Sequence, residues 1–211
     1  MTRSRARRTL SVLSAAALLG ALAGAAPMAS AGPPPVDPAS VSPTLNPNFA
    51  PWDCWRAGTG ITCQGTWVNT YENEPIGIQC DGQEVYGSGS SREFMTRWHT
   101  ADGLATRTNV HLGYPSDRYT LSPTGAGPSV TISGHWNRHY TYPVPGEVGS
   151  RVLTEVGGRY LGRADDGSRL NGSGGVQYAP GEDFETRASA HGSIADITGE
   201  TVDAFICEAL T

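Results

Sequence analysis

The residues best suited to chemistry in this chain are its histidines, and each falls where the polar side of a strand is expected. The five are His99, His111, His135, His139 and His191. Charged residues share those polar sides, namely Arg97, Arg107, Arg187 and Glu185. If the strands close with this side inward, it would line a cavity for an anionic or hydroxylated small molecule, with histidine as acid or base. The simpler alternative is a solvent-facing polar side, which antiparallel sheets commonly have.

The candidate ligand-binding residues depend on the register of one hairpin. A three-residue loop from Ala101 to Gly103, with Gly103 in the left-handed conformation, pairs Trp98 with Thr106 and Phe94 with Val110. A two-residue loop would instead set Trp98 against Arg107, which mixes apolar with charged side chains. We therefore expect the three-residue register, and it places the candidates on one polar face: Arg97, His99, Arg107, His111 and His135. No residue is assigned a catalytic role.

Metal ligation is not expected from the same residues. His135 and His139 have the i, i+4 spacing that converges on a metal when it lies on a helix. On a strand, at about 3.3 Å per residue, the two positions are roughly 13 Å apart, too far for one ion. The spacing of Cys54 and Cys63 also lacks the short knuckle of a zinc site. No cofactor is indicated.

Residues 1–31 have the pattern of an export signal. The chain begins with four arginines before residue 9, continues with an apolar run from Val12 to Ala26, and reaches a small-x-small cleavage site at Ala29-Ser30-Ala31. Because Arg7 and Arg8 are adjacent, general and twin-arginine export both stay open. No later run approaches the ~18 apolar residues that a membrane span needs. These patterns predict a secreted, extracellular protein that begins at Gly32.

An extracellular location makes the cysteines disulfide-forming rather than metal-binding. The turn Gly58-Thr59-Gly60 can fold the short segment between Cys54 and Cys63 back on itself. That leaves Cys80 to join the tail through Cys207. Of the three possible pairings of four cysteines, we expect Cys54–Cys63 and Cys80–Cys207.

Charge excludes some classes of partner. The expected signal holds four of the fifteen basic residues and none of the twenty acidic ones, so the remaining chain carries a formal charge of −9. Such a chain lacks the basic surface that nucleic acids and anionic membranes require. Every Lys or Arg position is Arg, and Ala, Gly and Pro are abundant, which resembles proteins of high-GC Gram-positive bacteria.

The chain divides into a proline-rich arm and one all-β domain. Residues 32–51 hold seven prolines in twenty positions, which excludes a helix or central strand and predicts an extended, disordered arm. Residues 52–211 alternate with period two between glycine-containing turns such as Asp81-Gly82. About eight to ten strands fit, in a single antiparallel β-barrel or a two-sheet β-sandwich. The tail, residues 201–210, fits a last strand or one short helix.

The longest alternation predicts which side of one strand is buried. From Val130 to Tyr142 the apolar positions form one row that includes Ile132, Trp136 and Tyr140, and Arg138 alone breaks it. We expect this row to face the core, with Trp136 as a core residue.

No motif specifies a reaction. The pattern favours a secreted, non-catalytic, monomeric β-rich binding module for a small molecule, a glycan or a protein. The first alternative is a small extracellular enzyme that uses His and Glu or Asp in a polar barrel interior. The second is an envelope-associated structural protein. Convergence of the candidate residues in a closed pocket would favour the ligand or enzyme hypotheses over a surface role.

Overall fold

The computed structural model describes residues 32–181 and 186–211. The expected export signal, Phe184 and Glu185 lie outside these residues. Within them the chain forms eight strands and one α-helix. The elements are β1 Asp53–Ala57, β2 Gly60–Cys80, β3 Gln83–His99, β4 Ala105–Thr120, β5 Val130–Thr141, β6 Val152–Ala164, β7 Arg169–Tyr178, β8 Arg187–Gly192 and α1 Gly199–Leu210.

All eight strands belong to one antiparallel sheet whose order follows the chain from β1 to β8. The all-β prediction and the strand number are confirmed. A closed barrel or a two-sheet sandwich is not what forms, because the described strands make a single sheet with β1 and β8 at its edges. The face that closure would have buried is covered by other parts of the chain, namely α1 and residues 33–51. We call this covered side the inner face and the opposite side the outer face.

Helix α1 covers one end of the inner face and resolves the ambiguity of the tail. Thr198 caps its first turn by accepting a hydrogen bond from the Thr201 amide. Ile206 and Leu210, 1% and 7% exposed, pack in the cluster that includes Val130 and Ile132 of β5. The tail is therefore a helix, docked by its apolar side.

Residues 33–51 cover the other end of the inner face, where the sequence predicts a disordered arm. The Phe49 side chain is 2% exposed, and Val41 and Leu45 pack against the first disulfide. Backbone hydrogen bonds dock the segment, including Ser42 N–H to the Gly103 carbonyl at 2.8 Å. Proline does exclude regular helix here, but buried apolar side chains and bonded carbonyls hold the irregular backbone in place.

Both predicted disulfides are confirmed. Cys54 bonds to Cys63 across the β1–β2 hairpin, and Cys80 at the end of β2 bonds to Cys207 in α1. The second bond ties the terminal helix to the sheet that it covers.

The turn at Asp81-Gly82 forms as the sequence predicts. Both residues have positive φ, 48° and 78°, as a type I′ turn requires, and Cys80 pairs with Gln83. The alternation of β5 is also confirmed, since Val130, Ile132 and Tyr142 are no more than 5% exposed. Trp136 of the same row is partly buried, and its ring meets Tyr114 edge-on with the centroids 5.0 Å apart.

The register of the β3–β4 hairpin differs from the expected one after a correct start. The three-residue loop forms, with Gly103 at φ +85° and His99 paired with Ala105. A bulge then leaves Thr106 without a partner in β3, so Trp98 lies opposite Arg107 and Phe94 opposite His111. That pairing is the one rejected above as mixing apolar with charged side chains. The bulge is favoured because it keeps Ala105 and Val110, 0% and 3% exposed, on the inner face on both of its sides.

Candidate functional site

The hairpin register divides the five candidate residues between the two faces of the sheet. Arg97 and His99 lie on the inner face of β3, where both are buried. Arg107 lies on the outer face with its guanidinium 3.9 Å from the centre of the Trp98 ring. His111 and His135 are exposed on the same outer face. The sequence-based set is therefore not one site, and the prediction that Arg97 and Arg107 share a face is wrong because of the bulge at Thr106.

Arg97 is a buried charged residue of the inner face. It is 8% exposed, and among the described residues it forms no salt bridge. Its Nη1 donates to the carbonyl of Pro43 at 2.9 Å, and its Nε has no hydrogen-bond partner. Burial lowers the pKa of this guanidinium, and the nearby charge of Arg151 lowers it further against an opposing effect of Tyr142. A buried cation held only by neutral carbonyls is costly unless an anion joins it.

Arg97 opens onto an inner-face cavity of about 390 Å³. This volume lies within the range of roughly 300–1,000 Å³ that is usual for small-molecule sites. Thr108, which pairs with Arg97 across the hairpin, also lines the cavity, and its buried Oγ1 has no hydrogen-bond partner. Four aromatic side chains are part of its walls, namely Phe49, Trp67, Tyr140 and Tyr142. The cavity thus combines polar hydrogen-bonding groups with four aromatic rings.

Three further charged residues line this cavity, Glu93, Arg138 and Arg151, and the first two have ionic partners nearby. Arg138 donates from Nε to Glu155 at 2.7 Å. Burial lowers the pKa of Arg138, but the hydrogen bond to Glu155 and the nearby Tyr140 and glutamates more than offset this, so the pKa is raised. Burial raises the pKa of Glu93, and the positive charge of Arg138 partly offsets that rise. Arg97, which is buried and forms no salt bridge with a described residue, is therefore a candidate partner for an anionic ligand.

His99 is poorly placed for acid–base work. It is 4% exposed and does not line the cavity. Burial and the charge of Arg97 lower its pKa to about 4. The imidazole is neutral at neutral pH and too weak a base to accept a proton there. His99 is therefore not the acid or base that the sequence analysis considered.

The other charged residues picked out by the sequence have structural partners or lie apart. His139 Nδ1 hydrogen-bonds Asn109 Oδ1 at 2.8 Å on the outer face. Arg187 donates to the carbonyls of Ile197 and Ala195 and so ties β8 to the segment before α1. His191 is exposed on edge strand β8. Glu185 lies outside the described residues.

Sequence reasoning missed most of the cavity. Glu93, Arg138 and Arg151 line it, and so do the four aromatic walls. One signal was available, because Arg138 interrupts the apolar row of β5, and a charge in a core-facing row needs a partner. The contribution of Phe49 had no such signal, since its segment reads as a linker.

The described residues contain neither a metal-binding cluster nor a membrane-crossing helix. Over residues 32–181 and 186–211, no three His, Cys, Asp or Glu side chains group closely enough to hold an ion. In the same residues no helix is long and apolar enough to span a bilayer. Comparison with protein-family models, with curated proteins and with solved structures finds no match to this chain.

Proposed function

We propose that the protein is a non-catalytic binding module that takes a small ring-bearing carboxylate into the inner-face cavity. The observation that carries this proposal is the buried guanidinium of Arg97, which faces the cavity without an ionic partner among the described residues. A ligand carboxylate at Arg97 would supply the missing negative charge and a charge-assisted hydrogen bond. Thr108 Oγ1 is placed to bond the same ligand, since it lies across the hairpin from Arg97.

The aromatic walls define the rest of the ligand. Phe49 and Trp67 lie with their ring centroids 6.0 Å apart, and the other two rings are those of Tyr140 in β5 and Tyr142 just after it. Flat or cyclic apolar groups gain most from such surfaces. An anion without a ring would leave these walls wet, and a neutral ring would leave Arg97 unneutralised. Both features together favour an aromatic or alicyclic carboxylate.

The site is proposed to work outside the cytoplasm of a bacterium. Residues 1–31 have the export pattern described above, and the two disulfides suit an oxidising compartment. A protein of this kind would capture its ligand from the extracellular medium as a monomer.

Thermal shift and calorimetry with defined probes test the proposal. Benzoate and phenylacetate should raise the melting temperature of the wild type, whereas benzamide and acetate should raise it much less. At ten times Kd the stabilisation is about 1.4 kcal/mol, which corresponds to roughly 3–6 °C for a domain of this size. Absence of any shift with both ring-bearing carboxylates would contradict the proposal.

Three variants locate the response. Arg97→Met should abolish it, while Arg107→Met, which removes an outer-face arginine of the same hairpin, should retain it. Because Arg97→Met also removes the bond to the Pro43 carbonyl, Thr108→Val gives a second test that keeps the arginine. We expect Thr108→Val to weaken benzoate binding about three- to tenfold, the usual effect of one lost hydrogen bond. If either Arg97→Met or Thr108→Val binds benzoate as tightly as the wild type does, the cavity is not the site.

A further inference from the structure

A second groove lies on the outer face, on the opposite side of the sheet from the cavity above. It measures about 700 Å³ and runs across β3, β4, β5 and β6. Its centre is Gly113, where a side chain would point into open space, because a Cβ built there meets no atom within 4 Å. The missing side chain therefore makes the depression.

Cationic and histidine side chains form a row across this groove. Arg92 pairs with Gly113, Gly113 pairs with His135, and His135 pairs with Arg159. His111, two residues before Gly113 in β4, also lines the groove. Neither an Asp nor a Glu of the described residues lines it. In a chain with twenty acidic and fifteen basic residues, such a strip is unexpected.

The two arginines and two histidines make no side-chain hydrogen bond or ion pair with any described residue. Arg92 and Arg159 therefore have no compensating negative charge in the groove. An anion bound there would supply that charge and could accept charge-assisted hydrogen bonds from both guanidinium groups. We infer that the groove is a binding site for an acidic saccharide, a chain of sugar rings that bears carboxylate or sulfate groups.

The spacing of the row favours an extended ligand over a single small ion. Arg92 and Arg159 are three strand steps apart, which is roughly 14 Å at 4.7–4.9 Å per step. Acidic groups spaced along a sugar chain can meet both guanidinium groups at once. A lone sulfate or phosphate can do so only if both side chains bend to the centre of the groove.

The remaining lining matches the rest of a sugar chain. Phe94, 38% exposed, and Leu161 offer apolar surfaces toward the two ends of the groove, suited to the C–H face of a pyranose. Ser133 and Asn137 offer hydrogen-bonding groups for hydroxyls between them. A neutral peptide or an apolar ligand would use the apolar surfaces but leave the arginines unpaired.

Calorimetry with defined tetrasaccharides tests this inference. The probes are a polygalacturonate tetrasaccharide for carboxylates, a heparin-derived tetrasaccharide for sulfates, maltotetraose as the neutral control, and inorganic sulfate. At least one acidic tetrasaccharide should bind, and its affinity should fall as the salt concentration rises. The tetrasaccharide that binds more tightly shows whether the groove prefers carboxylate or sulfate groups. Maltotetraose and inorganic sulfate should bind at least about tenfold more weakly. No binding of either acidic probe, or equal binding of inorganic sulfate, would overturn the inference.

Variants separate groove binding from diffuse attraction. The double variant Arg92→Gln, Arg159→Gln should lose about tenfold or more in affinity, whereas Arg163→Gln should stay within about twofold. Arg163 is a matched control because it lies on the outer face of β6, four residues from Arg159, and does not line the groove. Gly113→Val keeps every charge but fills the groove, and it should lose as much as the double variant. If Gly113→Val binds like the wild type, the groove is not the site. Arg97→Met should leave this binding unchanged, so the result is independent of the inner-face proposal.

Discussion

Replacing Phe49 by Ala tests whether the proline-rich segment is part of the core. The side chain is 2% exposed, and its ring centroid lies 5.8 Å from that of Trp52 and 6.0 Å from that of Trp67. Gly65 of β2 leaves it little spare room, because a Cβ at that position would lie 2.9 Å from the Phe49 Cβ. A closely packed site of this kind collapses poorly when it is emptied. We expect Phe49→Ala to cost about 3–5 kcal/mol of unfolding free energy.

Such a loss corresponds to a fall of roughly 6–20 °C in melting temperature, at about 2–4 °C per kcal/mol for a chain of this size. Circular dichroism melts and urea titrations of the wild type and Phe49→Ala measure this loss of stability. Phe94→Ala is the matched control, since it makes the same chemical change at a site that is 38% exposed, and it should cost only about 1 kcal/mol. If Phe49→Ala melts within a degree or two of the wild type, the segment is not part of the core and the disordered-arm interpretation is restored.

Three further predictions concern stability. Replacing Cys80 and Cys207 together by Ser should lower the unfolding free energy by about 5 kcal/mol on the chain-entropy model, because the bond closes a loop with a sequence separation of 127. Urea titration without reductant measures this loss. Gly162→Ala should cost about 1–3 kcal/mol of unfolding free energy, because its Cβ would lie 2.5 Å from the Phe205 ring in α1. Gly113→Ala is the control and should be neutral, since its Cβ would meet open space. Equal costs of the two variants in thermal melts would refute the crowding at Gly162. Burial raises the pKa of Glu93, so the folded state binds its proton more tightly than the unfolded state does. Stability from this group is greatest below its ordinary pKa and falls as pH rises through the raised pKa, and Glu93→Gln should flatten that fall in urea midpoints measured against pH.

The parts of the fold that follow from local sequence signals could be predicted. Asp81-Gly82 specifies a turn by itself, because few other dipeptides tolerate two positive φ angles. The alternation of β5 shows its buried side, because successive residues of a strand point to opposite faces. The disulfide pairing followed from the turn between Cys54 and Cys63, which left the other two cysteines for each other.

Features set by contacts between distant segments could not be predicted. The bulge at Thr106 shifts β4 by one residue, and nothing local distinguishes it from an uninterrupted ladder. Its effect on the candidate site is large, because the shift moves Arg107 to the face opposite Arg97. The expectation that apolar and charged residues avoid pairing also failed, since Arg107 packs its guanidinium on the Trp98 ring and gains from the contact.

The docked segment links the fold to the proposed ligand site. Residues 33–51 supply Phe49 as a wall of the cavity and the Pro43 carbonyl as the acceptor for Arg97. If the segment detached, Arg97 would lose that acceptor and the cavity would lose a side, so opening the segment and losing the site are one event. A carboxylate bound at Arg97 would therefore oppose detachment by mass action. The Phe49→Ala variant should accordingly lose benzoate binding along with its stability, whereas loss of the outer-face groove by Gly113→Val should leave both intact.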